Sequence, residues 1–313
     1  MPSSALLEIT SRGEMVAPGH RLCTGCGAGV IIRQMLMSTD YPIVVSNATG
    51  CVEVCTSVYP YTAWRVPWIH NGFENAAATI SGVEAAYKSM KRRGDLPARK
   101  NDKPIKFIAL GGDGGTYDIG LQSLSGALER GHDFLYICYD NGAYMNTGIQ
   151  RSSASPFGAN TTTSPAGVMI QGKQEERKDL TAIAAAHNIP YVATASPGYY
   201  MDFTRKVSKA LEAKGPAFIN VLSVCPLGWK SEPEESQVLA RLGVETCFWP
   251  LFEIENGKFR LTFRPNVKKP VVEYLKRQGR FGHLFKAGNE HMLAHIQQRV
   301  DEEWGRLLER EKK

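Results

Sequence analysis

The sequence predicts an α/β protein whose mostly parallel sheet carries helices on both faces. Five apolar runs rich in β-branched or aromatic residues are typical of buried strands; they span residues 41–48, 104–115, 133–141, 189–196 and 216–225. Helical patterns lie between them, at 75–94, 119–131, 179–188 and 201–215. Strands that alternate with helices favour a parallel sheet. Helical patterns here end in Lys or Arg followed by glycine, which is a common helix C-terminus.

The chain divides into two predicted regions. Residues 1–228 form the α/β domain. Residues 229–313 form a C-terminal extension, in which the α/β rhythm fades into an irregular tail that ends in a charged helix at 291–313.

Composition and charge exclude several classes of protein. With 43% hydrophobic and 22% charged residues, the balance is that of an ordinary globular chain. No apolar run approaches the roughly 20 residues that span a bilayer, and the N-terminus lacks a secretory signal pattern, so we expect a cytoplasmic protein with no membrane partner. The segment 258–286 holds nine Lys or Arg and only Glu273 as an acid. Without a nucleic-acid-binding motif, we interpret it as a subunit contact or solvated surface.

The segment GGDGGTYDIG follows a predicted strand and opens a helix. Glycines there let a backbone approach a phosphate, and Asp113 offers Mg²⁺ a carboxylate. Asn141 ends the next strand, where it can face the same cation. A glycine-rich turn with a helix-capping Asp is the alternative. The long polar stretch 141–178 begins at this strand end, where open α/β sheets bind ligands, so we interpret it as an active-site loop.

Four of the seven cysteines suit a metal site. Cys23 and Cys26 lie two apart in LCTGCG, Cys51 follows NATG, and Cys225 follows a predicted strand much later in the chain. Four thiolates suit either a [4Fe–4S] cluster or a structural zinc, and their spacing does not separate the two. Cys55 is a competing ligand of second rank. For Cys138 and Cys247, burial as small apolar side chains is the simpler interpretation.

Several segments together carry a family resemblance. From GDG to Asn141 the spacing resembles the thiamine diphosphate motif. With APGHRLCTGCG, VSNATGCVEV, WIHNGFENAAA, YDNGAYMNTGIQRSS and CPLGW, the chain resembles the β subunit of 2-oxoacid:ferredoxin oxidoreductases, most closely the pyruvate type. The resemblance implies the pyrophosphate-binding half of the thiamine diphosphate fold. The resemblance places the diphosphate and Mg²⁺ at Gly112, Asp113, Gly114 and Gly115, with Asn141 and the Ala143 carbonyl as further Mg²⁺ ligands. It implies that Asn146 is a catalytic residue facing cofactor and substrate. It also implies that one [4Fe–4S] cluster is bound by Cys23, Cys26, Cys51 and Cys225.

The resemblance also implies an activity and partners. The activity is oxidative decarboxylation of a 2-oxoacid such as pyruvate, with electrons passed to ferredoxin and coenzyme A as a candidate acyl acceptor. A pyrimidine-domain (alpha-type) subunit would supply the activating Glu, and a ferredoxin-like subunit would carry further clusters. Two alternatives stay open: a non-redox thiamine enzyme with zinc in the cysteine site, and a zinc-stabilised scaffold.

One position departs from the pyruvate-type pattern. Gly142 stands where that pattern commonly has Glu. A missing carboxylate beside the Mg²⁺ site would favour a more negative substrate, so oxalate, a dianion oxidised without coenzyme A, is an alternative to pyruvate.

Overall fold

One mixed sheet organises the molecule. The computed structural model describes residues 4–98 and 103–312, and within them the sheet has eight strands. They are β1 (Ile43–Ala48), β2 (Trp68–Asn71), β3 (Lys106–Gly112), β4 (Leu135–Asp140), β5 (Tyr191–Ala195), β6 (Ala217–Leu222), β7 (Phe252–Glu255) and β8 (Lys258–Leu261). All five predicted strands are present, each a few residues shorter than its apolar run. β2, β7 and β8 are strands that the sequence analysis did not predict.

The strand order is β2-β1-β3-β4-β6-β5-β7-β8. The first six strands in this order are parallel, and β7 and β8 add an antiparallel edge. The predicted fold class, a mostly parallel sheet between helices, is therefore confirmed. β3 and β4 are neighbours in register, with Gly112 opposite Tyr139, so the residues that follow these strands leave the sheet side by side.

Helices cover both faces of the sheet. They are α1 (Ser4–Ser11), α2 (Gly27–Met37), α3 (Cys51–Thr56), α4 (Ala76–Arg93), α5 (Leu121–Glu129), α6 (Leu180–Ala185), α7 (Tyr200–Glu212), α8 (Pro226–Trp229), α9 (Ser236–Glu245), α10 (Val272–Leu275) and α11 (Glu290–Arg310). Apolar residues of α2 and α7 form one core with the sheet, and those of α4, α5 and α6 form another. Lys313, the last residue of the predicted terminal helix, lies outside the described residues.

The C-terminal region is more regular than the predicted tail. β7 and β8 extend the sheet, and α9, α10 and α11 enclose a third apolar core that includes Trp229 and Tyr274. Much of the basic segment is ion-paired with acids from other segments; the pairs are Arg260–Glu253, Arg264–Glu311, Lys268–Asp301, Lys269–Glu245 and Arg277–Glu235. The division at residue 228 stays a prediction. Among the described residues, no helix is long and apolar enough to cross a membrane.

Candidate cofactor cleft and cysteine site

A cleft lies where β3 and β4 end. Its walls come from the end of β1, the turn after β3 and the start of the polar loop after β4. The lining residues are Thr49, Gly50, Cys51, Phe73, Gly112, Asp113, Gly114, Gly115, Tyr139, Asn141, Ala143, Tyr144, Met145, Asn146 and Thr147. The structure thus brings together every residue predicted for the diphosphate, Mg²⁺ and substrate. Thr49 and Gly50 were not predicted for this cleft, although the strand-end rule points to them because β1 is the neighbour of β3.

Three oxygen-bearing groups converge at the base of the cleft. One terminal atom of the Asn141 amide lies 2.9 Å from both Asp113 Oδ1 and the Ala143 carbonyl oxygen. With no cation between them, the amide nitrogen would face both oxygens and donate to each. With the amide oxygen in that place, its distances to the other two oxygens are those of adjacent ligands on an octahedral Mg²⁺, since ligands at about 2.0–2.1 Å from the ion lie roughly 2.9 Å apart. The residues present therefore fit Mg²⁺.

The Asp113 carboxyl is poised to receive a cation. It is buried, and burial followed by the nearby Asp140 carboxylate raises its pKa well above the usual value. The Ser152 hydroxyl donates to Oδ2, and the Asn141 backbone N–H donates to Oδ1 at 3.2 Å. A bound divalent cation would stabilise the ionised form that burial disfavours. Asp140 itself pairs with Arg177 at 2.5 Å.

The turn after β3 brings backbone close to the cleft. The residues Gly114–Ile119 form a wide π-helical turn, a form often found at functional sites. A Cβ on Gly114 would lie 2.4 Å from the Tyr144 ring, so only glycine fits between the turn and the loop. Asn146 lies at the mouth of the cleft with its side chain exposed. It is therefore open to a substrate or to a partner surface.

Gly142 faces away from the cleft. Its φ of +76° is in the left-handed region, and a Cβ there would lie 2.9 Å from Arg280 Nη1. Gly142 is not part of the cleft wall. A carboxylate at this position would therefore meet Arg280 rather than a substrate. On this geometry the missing carboxylate at Gly142 gives no reason to favour oxalate over pyruvate.

The cysteines come together from three separate segments. Cys26 precedes α2, Cys51 begins α3, and Cys225 precedes α8. The Gly27 N–H donates to the Val224 carbonyl at 2.9 Å, which ties the first cysteine loop to the last. The Cys51 thiol interacts electrostatically with the thiols of four other cysteines. In decreasing order of the interaction, these are Cys225, Cys26, Cys55 and Cys23.

Burial raises the pKa of three thiols of this site, those of Cys26, Cys51 and Cys225. Burial, with a smaller effect of neighbouring cysteines, raises the pKa of Cys51 to about 12. Burial likewise raises the pKa of Cys225 to about 11. Burial also raises the pKa of Cys26 and outweighs the backbone amides of Ala28 and Gly29, which lower it. A metal that binds here must displace these protons.

The thiols of the cysteine site are not arranged around a single point, unlike the oxygens of the cleft. Among the described residues, no group of three or more His, Cys, Asp or Glu side chains is arranged to hold a metal ion. Cys55 lies near Cys23 and Cys26, and the structure does not by itself select four of the five thiols. Cys138 and Cys247 are buried in separate apolar cores, as expected for small apolar side chains.

Cys51 belongs to both sites. It lines the cleft and also neighbours the other thiols, so the two sites share a wall. Tyr139 completes this wall: its side chain is buried, and its hydroxyl has no hydrogen-bond partner among the described residues. Nothing in the local sequence around Tyr139, Ser152 or Arg280 marks them for this region, because each reaches it only through the fold.

Comparison with known proteins identifies the class. Residues 48–221 match the family described as thiamine pyrophosphate enzyme, C-terminal TPP binding domain. A 2-oxoglutarate:ferredoxin oxidoreductase from Magnetococcus marinus shares the fold, with a TM-score of 0.56 at 20% identity over 91% of this chain and 94% of that chain. The chain therefore carries a thiamine diphosphate-binding domain.

Curated relatives define the family more narrowly. The chain is 57% identical to pyruvate synthase subunit PorB of Methanocaldococcus jannaschii over 93% of its length and 95% of the relative's. It is 51% identical to PorB of Thermotoga maritima, over 94% and 91% of the two chains. Ketoisovalerate oxidoreductase subunit VorB of Pyrococcus furiosus is 44% identical, over 92% and 91%. The chain belongs to this PorB family and is one subunit of a 2-oxoacid:ferredoxin oxidoreductase complex.

Proposed function

We propose that the chain is the subunit of a pyruvate:ferredoxin oxidoreductase that holds thiamine diphosphate, Mg²⁺ and one [4Fe–4S] cluster. In the proposed reaction, pyruvate, coenzyme A and two oxidised ferredoxins give acetyl-coenzyme A, CO₂, one proton and two reduced ferredoxins. The names of the PorB relatives favour pyruvate as the substrate.

The observation that carries the proposal is the wall shared by the two sites. Cys51 lines the cleft that fits Mg²⁺ and diphosphate, and it lies among the other thiols. An enzyme that removes electrons from its substrate one at a time needs the reacting centre beside a one-electron acceptor. A thiamine enzyme without redox chemistry has no such need. No observation favours zinc in the thiol site.

The chain's own residues have separate tasks at the cleft. Asp113, Asn141 and the Ala143 carbonyl would hold Mg²⁺, and Ser152 keeps the Asp113 carboxylate oriented. When bound, thiamine diphosphate supplies an electron sink at the carbon that loses CO₂. Asn146, exposed at the mouth, would hydrogen-bond the substrate.

The thiols suit a cluster better than a single metal ion. The four ligands of zinc converge on one point, whereas each cysteine of a [4Fe–4S] cluster binds a different iron atom. Cys51 has thiols from two other segments as neighbours, as a cluster bound through several loops requires. We assign ligation to Cys23, Cys26, Cys51 and Cys225, with Cys55 outside the set.

Partner subunits complete the proposed enzyme. A pyrimidine-domain subunit supplies the activating Glu and covers the cleft mouth near Asn146 and Thr147, which are both exposed. A ferredoxin-like subunit relays electrons to external ferredoxin. The cytoplasmic location predicted from the sequence stays a prediction.

The test is an anaerobic assay of the assembled complex with a viologen dye or ferredoxin as acceptor. Pyruvate, 2-oxoglutarate, 2-ketoisovalerate and oxalate are compared, each with and without coenzyme A. We expect the largest kcat/KM for pyruvate and a requirement for coenzyme A. A preference for another acid, or oxalate turnover without coenzyme A, would replace the substrate assignment. A colourless, iron-free wild-type complex would contradict the proposed [4Fe–4S] cluster.

A further inference from the structure

Arg280 differs from the ion-paired basic residues of the 258–286 segment. Its side chain is buried at 3% exposure, and no described carboxylate lies within 4 Å of it. Its guanidinium donates to the Gln278 side-chain oxygen at 3.0 Å and to the Asn141 carbonyl at 3.3 Å. It also lies 4.1 Å from the centre of the Trp229 ring. The chain thus buries a cation with neutral direct partners.

Such a cation needs an anion nearby. Burying an unpaired charge is costly, and Arg280 is 3% exposed. The groups whose negative charge would offset this cost are, in decreasing order of their interaction with Arg280, Tyr274, Cys225, Asp140 and Asp113. Tyr274 is a phenol whose own pKa is raised to about 12, so it stays neutral. Asp140 is paired with Arg177, and Asp113 faces the cation site.

Cys225 is the remaining candidate, and the local structure connects it to Arg280. Cys225 precedes α8, and the Gly228 N–H donates to its sulfur at 3.4 Å. The same short helix ends at Trp229, whose ring lies against the guanidinium.

We propose that Arg280 is the counter-charge of the anionic metal–thiolate group held through Cys225, and that it raises the reduction potential of that group. The inference rests on the proposed [4Fe–4S] site. A cluster that accepts one electron gains one negative charge, and a fixed positive charge nearby stabilises this reduced form more than the oxidised form. The electron comes from the 2-oxoacid in turnover and from dithionite in a titration.

Arg280 also contacts the cofactor side. The Asn141 carbonyl accepts from Arg280 and, at 2.7 Å, from the Trp229 indole N–H. Asn141 and Ala143 would both bind Mg²⁺, so these two donors fix the backbone of the cation site. Arg280 is therefore a positioning residue that lies between the two sites and touches neither substrate nor cofactor.

The test is a dithionite redox titration of the purified complex, followed by electron paramagnetic resonance. The variants are Arg280→Gln, which removes the charge, and Arg280→Lys, which keeps it. We expect Arg280→Gln to lower the ratio of reduced to oxidised cluster at a fixed potential about tenfold, which is about 59 mV for one electron. Arg280→Lys should stay closer to wild type. Iron and sulfide content is measured in each sample.

A second pair of variants tests the same charge without removing Arg280. Gly142→Glu places a carboxylate against Nη1 and neutralises the guanidinium, whereas Gly142→Gln adds the same bulk without charge. We expect the Glu variant to lower the potential in the same direction as Arg280→Gln, and the Gln variant to leave it near the wild-type value. This pair covers the case in which Arg280→Gln does not fold.

The outcomes separate the inference from the proposed function. The inference alone is overturned if the wild-type complex holds a cluster and Arg280→Gln and Gly142→Glu both leave its reduction potential unchanged. Equal shifts in Gly142→Glu and Gly142→Gln also overturn it, because bulk and not charge would be responsible. Wild-type complex without iron overturns both. A lower potential in the two charge-removing variants, with normal iron content, supports both.

Discussion

The cofactor cleft and the cysteine site adjoin at Cys51, yet they are built in different ways. In the cleft, Asp113 and Asn141 follow adjacent parallel strands in fixed register, and their oxygens lie at metal-ligand spacing before any metal binds. The thiols come from loops and helix starts, and in the described chain they are neighbours without forming a metal-binding group. The ends of adjacent parallel strands thus hold their oxygens in a fixed arrangement, whereas the thiols depend on loops and helix starts from separate parts of the chain.

The largest expected effect is loss of cofactor binding at the cleft, with the cysteine site left intact. Asp113→Ala removes the only carboxylate of the three-oxygen group, so affinity for thiamine diphosphate with Mg²⁺ should fall at least about 100-fold. Activity should disappear with it. Calorimetric titration of the cofactor measures the loss. If the two sites are built independently, iron content should stay at the wild-type level.

Asp118→Asn is the control for that experiment. Asp118 lies in the same turn, where its carboxylate accepts from the Ser153 N–H at 3.0 Å, and it does not line the cleft. Its replacement should leave cofactor affinity within a few-fold of wild type. Retained cofactor binding in Asp113→Ala would contradict the assignment of the cation site.

The reverse break is Cys225→Ser. Loss of a ligand from the remote segment should remove most of the iron and the absorbance near 400 nm. It should also lower the thermal stability of the complex, because the proposed cluster would join three segments. Cofactor affinity should change less than in Asp113→Ala. Iron analysis and optical spectra provide the measurement.

Cys55→Ser and Cys247→Ser are the matched controls for the thiol site. Cys55 tests whether the nearest competing thiol is a ligand, and Cys247 is a buried thiol in another core. Both variants should keep full iron. Iron loss in Cys55→Ser together with retention in Cys225→Ser would exchange the two assignments.

The same contrast determines how much the sequence could predict. Asp113, Asn141 and the five predicted strands follow from apolar runs and the rule that parallel strands end at one edge, and the structure contains all of them. The resemblance added Ala143 and Asn146. β7 and β8 escaped prediction because they are only four residues each, and β8 also lies within the basic segment. Arg280 and Tyr139 escaped because burial and missing partners are properties of packing and have no local sequence signal.

A smaller effect is expected one contact away from the cation site. Ser152→Ala removes the hydroxyl that donates to Asp113 Oδ2 and leaves the three oxygens in place. Partners of metal ligands typically contribute about 10–100-fold to metal affinity, and we expect the lower end because the Asn141 N–H still donates to the same carboxylate. Titration with Mg²⁺ at saturating thiamine diphosphate measures it. An unchanged affinity would mean that backbone alone orients Asp113.

The smallest effect on either site is expected at Glu253, on the antiparallel edge. Burial alone would raise the pKa of this carboxyl, but donation from Lys209, Tyr191 and Arg260 outweighs burial and lowers the pKa to about 2. A carboxyl whose pKa is lower in the folded than in the unfolded chain stabilises the fold above the unfolded pKa. That stabilisation is lost as the pH falls from about 4.5 towards 2.

Glu253→Gln should therefore lower the free energy of unfolding by about 1–3 kcal/mol at pH 7, and the difference from wild type should vanish as the pH approaches 2. Denaturant titrations across this pH range measure it. Iron content and cofactor affinity at pH 7 should not change, because Glu253 lies outside the cleft and the thiol site. If iron content or cofactor affinity falls in Glu253→Gln together with stability, the losses expected for Asp113→Ala and Cys225→Ser must be corrected for global destabilisation. Those losses would then no longer show that the two sites are independent.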